Sequence, residues 1–360
     1  MKKIIVLAFV LQSLLISGCG GKEIDDMAFV VAVGVDKGET GYDYTFAIGN
    51  PKSIGGGGKG AEGGDSNVLV IKKQSGENIF SAGERVGNVI GQKVNFSHCE
   101  LVVMSVQVAN EGIYKFADAL MRHLNQRPKF VPAVCSLPAD KTLESINSEF
   151  EGNPERHLKK ILEDKSSPVS SEVDGRDFLC QTKNIHSGVA VPFISAENNM
   201  AVNEMAVFKS GYLVGRFEDI DAYKIIMGSS DDITLDAPGG SVIISQRQKP
   251  KISVECGEKP KIYIEIPINC TLSSLWHGED KEKVLKGAQL ALHNRVNALC
   301  EKSAGEIQTD FLGFERFARK NFLTWSDFEE YNWQERYKNS TFDVTIKIIP
   351  EKTGLIKGDL

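Results

Sequence analysis

The sequence predicts a mixed α/β protein made of several small domains, with mixed or antiparallel sheets and packed helices. Three observations carry this expectation. Runs rich in Val, Ile, Phe and Tyr alternate with segments of helical period in the first 140 residues. The last third shows the most regular patterning, ending in a strand where Phe342, Val344, Ile346 and Ile348 alternate with Asp343, Thr345 and Lys347. The chain, at 360 residues, is too long for one comfortable core.

The beginning reads as a targeting segment. Lys2 and Lys3 precede an apolar run from Ile4 to Ile16, short of the ~20 residues a spanning helix needs. Ser17 and Gly18 then stand directly before Cys19. Ile-Ser-Gly-Cys resembles the bacterial lipobox, whose cysteine thiol receives a diacylglycerol and becomes the mature N-terminus. The competing reading is an ordinary signal peptide with a chance cysteine. Two acyl chains on one residue suffice for stable anchoring. Residues 1–18 are therefore expected to be a lipoprotein signal peptide and Cys19 the lipidation site.

Residues 19–140 read as an N-terminal mixed α/β domain. Phe29 to Asp36 and Tyr42 to Ile48 form strands around "KGETG", a hairpin. Residues 50–67 are glycine-rich, and 55–64 read as a flexible loop. Val68 to Lys72 is expected as a strand, Gly76 to Gly91 as a helix, and Glu100 to Val108 as a strand. Glu111 to Leu124 has a helical apolar face with Asn110 as cap, and Val131 to Leu137 reads as a strand. Residues 141–230 are expected as a middle domain, or a linker plus a hairpin turning at Lys209-Ser210-Gly211 and a short helix from Glu218 to Met227. Residues 231–360 read as a sheet with three helices. The strands are Ser241–Gln246, Lys251–Glu255, Lys261–Thr271 and Phe342–Pro350; the helices are Glu279–Lys302, Ile307–Phe322 and Ser326–Tyr337.

A formal net charge of −6 offers no electrostatic reason to bind nucleic acid. Beyond Cys19, six cysteines lie at wide, irregular spacings without a C-x-x-C pair, so no disulfide framework or zinc site is expected. Gly55, Gly57 and Gly60 fit G-x-G-x-x-G only as any glycine run does, and no Ser or Thr follows Gly58-Lys59. His98-Cys99-Glu100 places an imidazole, a thiol and a carboxylate in a row; a histidine hydrogen-bonded at a strand start is the plainer reading, a Cys–His pair the other. Glu23, Asp25 and Asp26 crowd the anchor as a solvated segment, not as catalytic carboxylates. No reaction centre assembles, and no catalytic residue, metal or cofactor is expected. Six aromatics between Phe322 and Tyr337 exceed what one short helix buries on one stripe. Trp325, Tyr331 and Trp333 are the candidate partner contacts.

The ordered motifs resemble a known family. After the cysteine come "KEIDDMAFV" (22–30) and "VGVDKG" (33–38), then Phe96-Ser97-His98 before a strand, Arg122 on a helix, "EMAVFKSGYLVG" (204–215) and Asp310-Phe311-Leu312-Gly313-Phe314 leading to Arg319-Lys320 and Trp325. This order is similar to the Ger(x)C proteins, the C subunits of spore germinant receptors, as in GerAC-type lipoproteins. Gly20-Gly21, where the family often has an aromatic, and the 55–64 loop are departures. The resemblance implies several α/β domains, no catalysis, a lipid anchor on the outer face of the spore inner membrane, and two integral membrane partners, the A and B subunits. A substrate-binding lipoprotein of a transporter and an exported hydrolase are the alternatives.

Glycine loses more backbone entropy on ordering than any other residue. Deletion of residues 55–64 is therefore expected to leave the unfolding midpoint and germination unchanged. A large loss of either, or nucleotide binding that the deletion abolishes, would contradict the loop reading.

Overall fold

The computed structural model describes residues 26–49, 69–122, 129–149, 173–181, 183–195, 201–230, 232–276 and 280–351. Cys19, Glu23, Asp25 and the loop 55–64 lie outside the described residues.

The N-terminal hairpin forms as expected. β1 (Met27–Gly38) and β2 (Gly41–Gly49) pair antiparallel, Lys37 opposite Tyr42. A register shift between Val30 and Ala32 marks a bulge in β1. An extra residue there switches which parity faces which side. Ala28 and Val30 before the bulge, and Val33 and Val35 after it, all enter the same core. β3 (Leu69–Gly76) adds to β2. α1 (Ile79–Ile90) follows under a capping box made by Asn78 and Ser81, and stops at Gly91 in the left-handed region. β4 (Lys93–Asn95) runs parallel to the start of β1.

The next stretch departs from expectation. β5 ends early (Leu101–Ser105), and Val106–Glu111 is a short helix, α2, with Asn110 inside it. Gly112 at φ +97 breaks the helix, and α3 resumes at Tyr114–Arg122. β6 (Val131–Cys135) matches the expected strand. α4 (Ala139–Glu149) and α5 (Gly175–Gln181) have no expected counterpart. Asp36 at the end of β1 starts α4. Its carboxylate accepts from the Ala139 and Asp140 amides at 2.8 and 3.2 Å, two of the donors a helix N-terminus leaves unpaired.

The sheet does not end near residue 140. β7 (Gly188–Ser195) pairs parallel with β6, and β8 (Ala201–Lys209) and β9 (Tyr212–Phe217) extend it as a hairpin through Ser210-Gly211. The order is β3-β2-β1-β5-β6-β7-β8-β9, with β4 beside β1. Strands expected in a separate middle unit thus complete the first sheet. β1, β5, β6 and β7 are parallel, and both flanks are antiparallel. Parallel strands are stable when both faces are covered. One face packs on α1, α2, α3 and α5, with Val102, Met104, Phe116, Phe178 and Phe208 buried. The other is covered by α4 through Ala139 and Leu143 over β1, β5 and β6.

Over β7–β9 that second face is covered by the C-terminal unit. α6 (Ile220–Met227), capped by Asp219, leads into it. β10 (Ile233–Ala237), a strand that the sequence did not suggest, pairs with β11 (Gly240–Ser245). β12 (Lys251–Glu255) and β11 pair with different halves of the long β13 (Lys261–Leu275), so they share one edge. β14 (Thr341–Pro350) runs parallel to β13 on the other edge. α7 (Lys281–Glu301) lies over this sheet, burying Ala288, Leu292, Val296 and Leu299 as its period implied; Val284 fills the first turn of the stripe, where the period pointed to Leu285, which is only partly buried. A helix across Ile307–Phe322 does not form. Lys302–Glu306 is a π-type turn, 307–314 is irregular, and α8 spans only Glu315–Ala318. The third expected helix divides into α9 (Trp325–Tyr331) and α10 (Trp333–Tyr337) at Asn332, φ +54.

The two sheets share a core. Ala190, Met205, Val207 and Phe217 pack with Tyr223, Phe311 and the C-terminal residues, and Phe217 stacks on Phe311 at 4.9 Å. Gly188 is needed at this seam: its amide donates to the Asp310 carbonyl at 2.9 Å, and a Cβ there would meet Thr309 Cγ2 at 2.4 Å and the Phe208 carbonyl at 2.7 Å. Overpacking of this kind costs about 1–3 kcal/mol. Gly188→Ala is expected to lower denaturant stability by that amount, whereas Gly305→Ala, with nothing within 4 Å of its Cβ, should not. Equal stabilities of the two variants would remove the seam from the account.

Candidate docking face

The aromatic cluster is organised by one buried carboxylate. Asp310 accepts from the Phe314 amide at 3.0 Å, the Glu315 amide at 2.6 Å and Trp333 Nε1 at 3.0 Å. The first two bonds start α8 only at Glu315, which is why 307–314 stays irregular. The third draws Trp333 inward, where it is fully buried. Trp333 is therefore not the surface contact that its place among six aromatics suggested. Asn332 in the left-handed region makes the change of direction between α9 and α10 that this burial requires.

Tyr331 is half-buried, and its hydroxyl donates to the Gly257 carbonyl at 2.8 Å. Burial pushes its pKa up to about 12. Arg336 covers its ring at 4.8 Å. Of the three candidates, Trp325 offers the most surface, at 47 % exposed. It is the first residue of α9, where the Thr324–Asp327 capping box holds the helix start, and its Nε1 donates to Glu329 Oε1 at 2.7 Å. His186 meets its ring edge-on at 5.6 Å, and Arg319 lies over it at 5.4 Å. Beside it Leu323 is fully exposed. Ile185, next to His186, is also exposed. Nothing in the spacing of "NFLTW" marks Leu323 as the outward residue, and sequence reasoning missed it.

The other candidates are not brought together into a reaction centre. His98 lies in a turn three residues before β5, hydrogen-bonded through Nδ1 to Ser97 Oγ at 3.0 Å and with its ring edge-on to Phe29 at 4.9 Å; it is exposed. Burial pushes the Cys99 thiol up to about 12, leaving it protonated at neutral pH and a poor nucleophile. Cys135, held in the same way, also reaches about 12. All six described cysteines are free. Arg122 ends α3 and pairs with Asp118 one turn earlier at 2.7 Å. Among the described residues no three His, Cys, Asp or Glu groups gather to hold a metal, and no helix is long and apolar enough to cross a membrane. A groove of roughly 940 Å³ between α1 and β4 is lined by Met27, Phe80, Val94 and Phe96, with Glu84 and Lys93 as its charged groups.

The chain thus forms two joined α/β units with a buried polar seam and an exposed aromatic corner. Comparison with known proteins supplies the family. Residues 20–196 match the profile described as "Spore germination protein N-terminal domain", and residues 203–354 match "Spore germination B3/ GerAC like, C-terminal". The chain belongs to this GerAC-like, or Ger(x)C, family of germinant receptor C subunits. It is 23% identical over 371 residues to the putative spore germination protein YfkR of Bacillus subtilis (strain 168), covering 95% of this chain and 94% of that protein. It is 21% identical over 399 residues to spore germination protein KC of the same organism, covering 98% and 96%. The crystal structure of the GerBC protein shares the fold, with TM-score 0.54 and 14% identity over 88% of this chain and 96% of that one.

Asp310 sets a pH signature. Burial raises its pKa from 3.8 to about 6 against the opposing pull of its three N–H donors. Between these values the folded protein holds a proton that the unfolded chain has lost. The stabilisation is thus complete below pH ~4 and is lost as pH rises through about 6. Asp310→Asn lacks this titration and leaves a donor facing donors. The stability advantage of the native protein over Asp310→Asn is expected to grow on acidification from pH 7 to 4, by up to about 3 kcal/mol. Urea unfolding across that range tests it, and an advantage that shrinks with acidification would contradict it.

Proposed function

We propose that the chain is the lipid-anchored C subunit of a spore germinant receptor. Its diacylglyceryl Cys19 holds it on the outer face of the spore inner membrane, where it docks to the integral A and B subunits. It supports germinant recognition or signalling by binding and carries out no catalysis. The observation that carries this reading is the extent of the family match, which begins at residue 20, directly after Cys19, and runs through both units to residue 354. Anchoring raises the effective concentration of the body near its membrane partners, so weak contacts suffice for assembly.

Cys19→Ala is expected to move the protein from the membrane fraction to the soluble fraction in cells that lack the A and B subunits. Retention in the membrane after a high-salt wash in that background would refute the anchor. Loss of co-purification with A or B in spores carrying the lipidated protein would refute the docking.

A further inference from the structure

The segment from Arg316 to Trp325 combines features that belong at a lipid–water boundary. Leu323 is fully exposed and Trp325 half so. Arg316, Arg319 and Lys320 are exposed around them, and among the described residues none of the three makes an ion pair. Arg316 and Lys320 lie over the Phe317 ring at 4.8 and 4.9 Å, and Arg319 lies over Trp325. Three unpaired cations within five residues, close in sequence to an exposed leucine and an indole, contrast with a chain of net charge −6; the acidic groups beside them are Asp327, Glu329 and Glu330 on α9, of which Glu329 is bonded to the indole. Indole rings favour the headgroup level, and arginine and lysine meet lipid phosphates there.

The topology places this segment at a particular end of the molecule. Trp325 rests on His186, two residues before β7 begins at Gly188. β7 is parallel to β1 through β6 and β5. Following the paired residues across these strands sets Gly188 level with the first residues of β1. The corner therefore lies at the end of the sheet where the chain enters from Cys19, seven residues before Asp26. Three strand spacings separate β7 from β1, roughly 14 Å. Lys93, Lys129 and Lys183 stand exposed at or before the starts of β4, β6 and β7 at this same end, with Asp26 as a counter-charge.

We propose that the Arg316–Trp325 segment is a second membrane contact. Leu323 and Trp325 enter the headgroup–acyl boundary of an anionic bilayer, and Arg316, Arg319 and Lys320 bind its phosphates. Only the placement of a bilayer at this end rests on the lipid-anchor reading; the surface chemistry does not. The contact converts a body held at one point into one held at two, with a defined tilt.

The test uses the full lipidated chain carrying Trp276→Phe, which leaves Trp325 as the accessible indole because Trp333 is buried. The protein is reconstituted on phosphatidylcholine vesicles with or without phosphatidylglycerol, and Trp325 emission is read with brominated acyl chains. Flotation with pure phosphatidylcholine vesicles reports the lipid anchor separately. In anionic vesicles Trp325 should shift to the blue and be quenched. Leu323→Asp, or Arg316→Glu with Arg319→Glu and Lys320→Glu, should lose most of that quenching while the protein still floats and melts at an unchanged temperature. Unquenched Trp325 in anionic vesicles would overturn the proposal. So would quenching that charge reversal does not change, or protection of Trp325 that arises only on adding the A and B subunits, which would make the occupant a protein.

Discussion

The arrangement depends on a carboxylate kept away from water. Asp310 holds three N–H groups from two chain segments, and its backbone carbonyl takes a fourth from Gly188 across the seam. Burying a carboxylate is costly unless its oxygens are satisfied. Here the satisfaction comes from groups that would otherwise be unpaired: the first amides of α8 and the buried indole of Trp333. Each of these would lose its partner together with the others. The carboxylate therefore couples the course of the chain after the π-type turn to the inward turn at Asn332, and the backbone carbonyl of the same residue ties that segment to the first sheet. Its place in the Asp-Phe-Leu-Gly-Phe motif gives that motif a folding role. Asp36, in the Val-Gly-Val-Asp motif, does a similar job for α4 at the far side of the first sheet.

Elements with a strong period were legible. The β1–β2 hairpin, β12, β14 and α7 each show alternation or a continuous stripe, and tertiary contacts only confirm what the local pattern states. Elements fixed by a distant partner were not. α4 reads as polar because only Ala139, Thr142 and Leu143 of its described side chains are buried, and its start is set by an aspartate about a hundred residues earlier. The expected helix across 307–322 had buried Phe311, Phe314 and Ala318 at helical spacing, yet Phe311 and Phe314 lie in an irregular loop wrapped around Asp310 and only Ala318 lies in a helix, the one-turn α8. Extension of the first sheet past residue 140 depends on the pairing of β7 with β6, across a polar segment, which no local pattern encodes.

The site was legible only in outline. Counting aromatics located the right corner, because six of them cannot share one stripe. It could not say which faced inward: Trp333 is committed by a hydrogen bond to a residue 23 positions away, and Tyr331 by one to Gly257. The outward residue that matters beside Trp325 is an aliphatic, Leu323, with no pattern around it. Cation–aromatic stacking by Arg316, Arg319 and Lys320 needed the turn after α8 to be visible. Motif order, in contrast, was informative about family because it integrates over the whole chain.

β14 joins β13 in parallel, with Lys261 opposite Thr341 and Cys270 opposite Pro350. Such a pairing is of high contact order, since a long loop closes before any of its bonds form. In folding, the C-terminal sheet cannot close until β14 reaches β13, and the apolar face of Ala190, Met205, Val207 and Phe217 on β7–β9 stays uncovered until that unit packs on it. Folding thus includes a late, aggregation-exposed interval.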